Sequence, residues 1–172
     1  MRRAILLLST VALAMLLASG IAWAVDKTCQ ADTDCFGTKE ADDLTGSNGN
    51  DRIFGLGGPD LIRGLASDDR ISGGSGDDDV RGQGGRDGIS GAGGDDELLG
   101  GSGFDTILAG NGDDTVFGGD TLGDTSSDTI GVEGDQANGF QDEVFCGGEN
   151  QDQVFSDPND ILHNCSTPVL RR

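Results

Sequence analysis

The sequence predicts an all-β chain wound as a flattened coil, two parallel sheets around a thin apolar core. Three observations predict it. Residues 46–117 read as eight unbroken nine-residue blocks: GSNGNDRIF, GLGGPDLIR, GLASDDRIS, GGSGDDDVR, GQGGRDGIS, GAGGDDELL, GGSGFDTIL and AGNGDDTVF. The sixth position is Asp and the eighth aliphatic in all eight. Glycine holds the first and the fourth position in seven of the eight, with Ala109 and Ser67 as the exceptions. Columns held in phase over this length mark a repeat architecture, in which each unit buries its apolar residue only by stacking on neighbours.

Composition alone points the other way. The 172 residues include 31 acidic and 11 basic side chains, 31 glycines, no Tyr and one Trp. Such a chain resembles an acidic, disordered polymer. Order therefore needs the periodic signal and a way to neutralise charge. Nucleic acid is excluded as a partner, because phosphate contacts need Lys and Arg.

The N-terminus comes first in order. Arg2 and Arg3 precede an apolar run over residues 4–18, and Ala22-Trp23-Ala24 supplies small residues where a signal peptidase cuts. Residues 1–24 read as a secretory signal peptide. A membrane anchor is the alternative, but the run is short for a spanning helix and no cationic stop-transfer segment follows. No stable membrane insertion is expected after its removal. Losing Arg2 and Arg3 leaves 9 basic against 31 acidic residues, a net charge of −22. The expected destination is extracellular, by the general secretory route.

Residues 25–36 form a short N-terminal cap carrying Cys29 and Cys35. The repeat array is placed at 37–117, opening with the block GTKEADDLT, which keeps Gly37, Asp42 and Leu44 in their columns. Nine residues divide into a six-residue turn rich in glycine and a three-residue strand. Strand side chains alternate, so position eight points in while seven and nine point out. The inward column is Ile53, Ile62, Ile71, Val80, Ile89, Leu98, Ile107 and Val116. The outward columns mix Arg, Thr, Phe, Ser and Asp and form no flat array, which argues against an ice-binding face. Two blocks complete one coil. One aliphatic residue per block returns less on burial than ordering nine backbones costs. A cation is expected to supply the remainder.

The spacing selects the cation. Blocks n and n+2 stack on one edge, bringing Asp60 above Asp78 and Asp78 above Asp96. Carboxylates and glycine carbonyls make an all-oxygen site, and a flexible cage of six or more oxygens suits Ca²⁺ better than Mg²⁺. The blocks contain no His or Cys, which disfavours zinc or copper. In GGSGDDDVR the glycines shape the cage, Asp78 ligates, Asp77 adds charge as do Asp68, Asp95 and Asp113 in their blocks, and Val80 is the only core residue.

GGSGDDDVR, GGSGFDTIL and AGNGDDTVF resemble the repeat of the RTX, or haemolysin-type, calcium-binding family, Gly-Gly-x-Gly-x-Asp-x-aliphatic-x. The resemblance covers residues 37–117. It implies a right-handed parallel β-roll with several Ca²⁺ ions between stacked turns. The implied carboxylate ligands are Asp51, Asp60, Asp69, Asp78, Asp87, Asp96, Asp105 and Asp114, with Asp42 a weaker candidate. Implied carbonyl ligands come from positions two and four, the fourth-position glycines being Gly49, Gly58, Gly76, Gly85, Gly94, Gly103 and Gly112. Departures are Ser67, expected to strain its turn, and Gln83 with Arg86, expected to bring a cation near the cage of Asp87.

Residues 118–145 read as degenerate repeats, with Asp128-Thr129-Ile130 and Asp142-Glu143-Val144 displaced by five-residue insertions. Asp152-Gln153-Val154 and Asp160-Ile161-Leu162 echo the pattern again. Residues 146–172 resemble the C-terminal cap of secreted members of this family, with Phe140, Phe145, Phe155 and Leu162 available to cover the open end. Four cysteines allow three pairings, of which the local ones, Cys29–Cys35 and Cys146–Cys165, are favoured in an oxidising compartment.

No catalytic role is assigned. His163 is the one histidine and has no partner constellation, and no zinc-protease helix or serine elbow is present. The expected function is a secreted calcium-binding module folded by extracellular Ca²⁺. A structural or adhesive surface component is the alternative, and a small enzyme ranks third. No particular protein or polysaccharide partner is indicated.

Overall fold

A computed structural model of the chain describes residues 24–30, 33–119, 127–132, 140–146, 152–165 and 169–171. The signal peptide expected at 1–24 lies outside these residues except for its last position. The described residues form sixteen strands in two parallel sheets of eight, and successive strands alternate between them. One sheet stacks β1 (Asp26–Thr28), β3 (Asp43–Thr45), β5 (Leu61–Ala66), β7 (Asp79–Gly84), β9 (Glu97–Ser102), β11 (Thr115–Gly119), β13 (Glu143–Phe145) and β15 (Ile161–His163). The other stacks β2 (Asp34–Phe36), β4 (Arg52–Gly57), β6 (Arg70–Ser75), β8 (Gly88–Gly93), β10 (Thr106–Asn111), β12 (Thr129–Val132), β14 (Gln153–Ser156) and β16 (Val169–Arg171). Among the described residues no helix is long and apolar enough to cross a membrane.

The register follows the repeat. Ile53 pairs with Ile71, Ile62 with Val80 and Ile107 with Ile130, so the eighth-position column becomes a continuous ladder. Its members from Ile53 to Val116 are at most 3% exposed. Each contributes about 1.5–3 kcal/mol by burial, a narrow core for so much backbone.

The division of the block differs from the expectation in one respect. From β4 to β10 the strands run six residues, from position seven through position three of the next block. Pairing continues around the corner because stacked turns repeat the same conformation. The bend falls inside that span, where position two takes positive φ, as at Leu56 (83°), Leu65 (86°), Gln83 (79°) and Ala92 (87°). Position four is also left-handed from Gly58 to Gly112. Ser67, with φ of 75°, carries the strain expected there.

The roll continues past the insertions. Val116 pairs with Val144 and Ile130 with Val154, and Leu162 pairs with Val144 and packs on the core. Of the residues expected to cap the end, Phe145 instead joins an outer-face stack between Phe117 and His163, with centroids 4.7 and 4.4 Å apart. Cys29 bonds Cys35 and Cys146 bonds Cys165, the two local pairs, one toward each end.

Candidate metal centre

Each sixth-position Asp ends a turn and immediately precedes the next strand. Its side chain points into the coil, so the carboxylates share the interior with the aliphatic ladder. Asp51, Asp60, Asp69, Asp78, Asp87, Asp96, Asp105 and Asp114 are all 1–3% exposed. Val80 is therefore not the sole interior side chain of its block, since Asp78 lies inside with it.

A buried carboxylate needs donors. One oxygen finds them in the coil before. The Asp42 N–H donates to Asp60 Oδ1 (2.8 Å), the Asp60 N–H to Asp78 Oδ1 (2.8 Å) and the Asp78 N–H to Asp96 Oδ1 (2.9 Å). The opposite edge repeats this through Asp51, Asp69, Asp87 and Asp105. Both ladders run on into the tail, where Asp105 donates to Asp128, Asp114 to Asp142 and Asp128 to Asp152. These tail aspartates were outside the expected ligand set, although their Asp-x-aliphatic spacing was legible.

The second oxygen explains the first-position glycine. A methyl at Gly55 would stand 2.2 Å from Asp60 Oδ2, and one at Gly73 or Gly91 equally close to Asp78 or Asp96 Oδ2. The carboxylate occupies the space a side chain would need, beside the first-position carbonyl of the next coil on that edge, Gly73 O for Gly55 and Ala109 O for Gly91. The sequence expectation favoured positions two and four and gave position one no role. Oδ2 of Asp60, Asp69, Asp78, Asp87 and Asp96 is buried and accepts no hydrogen bond.

The turns stack tightly. A methyl at Gly94 would meet Gly76 O at 2.3 Å, and one at Gly112 would meet Gly94 O at 2.0 Å. The second-position carbonyls behave alike, Leu56 O beneath Gly74 and Gln83 O beneath Gly101. Backbone oxygen thus faces each successive turn. Fifth-position residues form a further, outer ladder: the Asp95 N–H donates to Asp77 Oδ1 (3.0 Å) and the Asp113 N–H to Asp95 Oδ1 (3.0 Å). These aspartates cap the next turn in addition to raising charge. Arg86, the cation expected near the cage of Asp87, lines one cavity with Asp69 and Asp87. It is exposed, its guanidinium 5.6 Å from the Phe104 ring centroid, while its N–H donates to Asp68 Oδ1 (2.9 Å).

Burial governs the electrostatics. It pushes the Asp60 and Asp78 carboxyls up to about 6 and those of Asp69 and Asp96 up to about 7. Asp87 is raised for the same reason. The backbone N–H bonds oppose this shift, and neighbouring carboxylates add to it. Such an interior favours a proton or a cation.

The donor set fits a hard cation. It offers a buried carboxylate oxygen without a donor, stacked carbonyls and no nitrogen or sulfur ligand. No three His, Cys, Asp or Glu side chains among the described residues converge on one point, so backbone oxygen must supply most of any coordination sphere. The family model described as RTX calcium-binding nonapeptide repeat (4 copies) matches residues 36–60, 54–89 and 90–120. The chain belongs to the RTX nonapeptide-repeat family. Comparison with curated proteins and with solved structures finds no match. Membership in the RTX repeat family supports calcium binding, which suits the oxygen-lined interior just described.

His163, the one histidine, is accounted for without chemistry. Its ring stacks on Phe145, and Nε2 lies 2.7 Å from Glu143 Oε1 on the outer face.

Proposed function

We propose that this protein is a secreted calcium-binding β-roll whose folding is driven by extracellular Ca²⁺. The observation that carries the reading is the interior column of Asp60, Asp69, Asp78, Asp87 and Asp96, each with one buried oxygen that no protein group satisfies. The ligands would be these carboxylates, with Asp105 and Asp114 continuing their columns, and turn carbonyls at Gly58, Gly76, Gly85, Gly94, Gly103 and Gly112 among others. The ion would supply positive charge where the aspartates stack, offsetting the repulsion and desolvation that oppose the calcium-free roll. In calcium-poor cytoplasm the mature chain, at −22, would remain extended and exportable. Millimolar calcium outside would suit sites of the extracellular class. The two disulfides fit an oxidising compartment.

Circular dichroism of the mature, oxidised chain, titrated with Ca²⁺, then EGTA, then Mg²⁺, tests this. The expected result is a cooperative rise in β signal with Ca²⁺ only, reversed by chelation. A β signal indifferent to chelation would make calcium an accessory to a self-sufficient fold. No calcium bound at any concentration would overturn the reading.

A further inference from the structure

The turns along the roll are of two kinds, and the difference starts at position two. From the third block onward, position two is Leu56, Leu65, Gly74, Gln83, Ala92, Gly101 and Gly110, all with positive φ between 79° and 122°. In the first two blocks it is Thr38 and Ser47, and neither has positive φ. Gly49, at position four, also departs from the left-handed fourth position of the later glycines.

The hydroxyl residues account for the change. A β-branched side chain such as Thr resists positive φ. A Ser or Thr hydroxyl can instead close the turn locally. Thr38 Oγ1 accepts from the Glu40 N–H, and Ser47 Oγ accepts from the Gly49 N–H, both at 3.1 Å. With the peptide in this orientation, the position-two N–H points at the aspartate. The Thr38 N–H donates to Asp42 Oδ2 and the Ser47 N–H to Asp51 Oδ2 (2.6 Å). The hydroxyls reach the same carboxylates, Thr38 Oγ1 to Asp42 Oδ1 at 3.2 Å and Ser47 Oγ to Asp51 Oδ2 at 3.0 Å.

The oxygen left without a donor at Asp60, Asp69, Asp78, Asp87 and Asp96 is therefore already satisfied at Asp42 and Asp51. Asp42 is complete, since the Val25 N–H donates to its Oδ1. Asp51 Oδ1 has no donor, because the Thr33 N–H bonds to Gln30 O instead. That atom lies on the first rung of its edge, with no earlier block beneath to complete a cage.

We propose that calcium occupancy begins at Asp60 on one edge and Asp69 on the other, and that the Asp42 and Asp51 turns, closed by Thr38 and Ser47, take no ion. This rests on the reading of the roll as a calcium binder and departs from the family pattern, which makes Asp51 a ligand.

The test counts ions bound by the full mature, oxidised chain, by native mass spectrometry with Ca²⁺ alone. Asp42→Asn and Asp51→Asn should keep the wild-type count, while Asp69→Asn and Asp78→Asn should each lose at least one ion. Equal losses at Asp51 and Asp78 would overturn the inference. A Thr38→Gly/Ser47→Gly variant keeps both carboxylates and covers the case in which an Asn variant fails to fold. Its count should rise above wild type as the freed turns adopt the later conformation, and an unchanged count would overturn the inference. A wild-type chain that binds no calcium would instead overturn the functional reading itself.

Discussion

Alanine at Gly73 separates a steric seat for the carboxylate from a general liking for glycine. The new methyl would stand 2.2 Å from Asp78 Oδ2 and 2.9 Å from its Cγ. Relieving that overlap moves the carboxylate by about 1 Å. The shift draws Oδ1 away from the Asp60 N–H, now 2.8 Å distant. A buried donor left unpaired costs about 1–3 kcal/mol. Against this, Gly→Ala returns about 0.4–1 kcal/mol by restricting the unfolded chain. The net expectation is a loss of about 1–2 kcal/mol together with weaker calcium binding. Gly93 supplies the control. A methyl there meets nothing nearer than Asn111 O at 4.0 Å, and the backbone is not left-handed. Gly93→Ala should keep only the gain, about 0.5 kcal/mol. Ala109 already carries a methyl at position one, so the substitution is unfavourable without being forbidden. The assay is urea unfolding at saturating Ca²⁺, followed by circular dichroism. Equal midpoints for the two variants would refute the idea that position one is reserved for the carboxylate.

Three further outcomes follow from the same geometry. The folded pKa values of about 6 for Asp60 and Asp78 and about 7 for Asp69 and Asp96 lie above the ordinary 3.8, so folding takes up protons. The stability this lends is full below pH about 4 and lost as pH rises through 6–7. In chelator the β signal should therefore grow on acidification, and with calcium the half-saturating concentration should rise as pH falls toward 6; a pH-independent midpoint would contradict both. Leu65, at a φ of 86°, carries left-handed strain of about 1–2 kcal/mol, so Leu65→Gly should raise the calcium-loaded midpoint, and a clear drop would show that its side chain matters more. Removing the Cys146–Cys165 bond, which spans 19 residues, by Cys146→Ser/Cys165→Ser should cost about 3 kcal/mol, read as a shift of the urea midpoint against the unsubstituted chain.

The coil was legible because its cause is periodic. Ile53, Val80 and Val116 recur at one phase, and an element that alternates in and out can bury such a column in only one way. The aspartate column was legible as chemistry and misread as geometry. Nothing in the letter D says whether a side chain faces a turn's rim or the interior. That depends on the empty space above Gly55 and Gly73, which is visible only when the block is folded back on itself. The outer Asp77–Asp95–Asp113 caps were hidden for a related reason, because their partners are backbone amides that carry no sequence signal. The tail was legible in part. The Asp-x-aliphatic triplets at 128 and 142 were visible, but insertions break the period, and the register through them is set by hydrogen bonds across coils.

The Asp105 N–H to Asp128 Oδ1 rung measures 2.9 Å across 23 residues of sequence, and the Asp87 N–H to Asp105 Oδ1 rung measures 2.8 Å across 18. The ladder is thus indifferent to how much chain lies between two rungs, provided the next Asp-x-aliphatic triplet arrives in place. Five extra residues between Asp114 and Asp128 leave the rung at its usual length. That makes the edges natural splice points, where a foreign peptide could be displayed at a height set by the rung chosen for its graft.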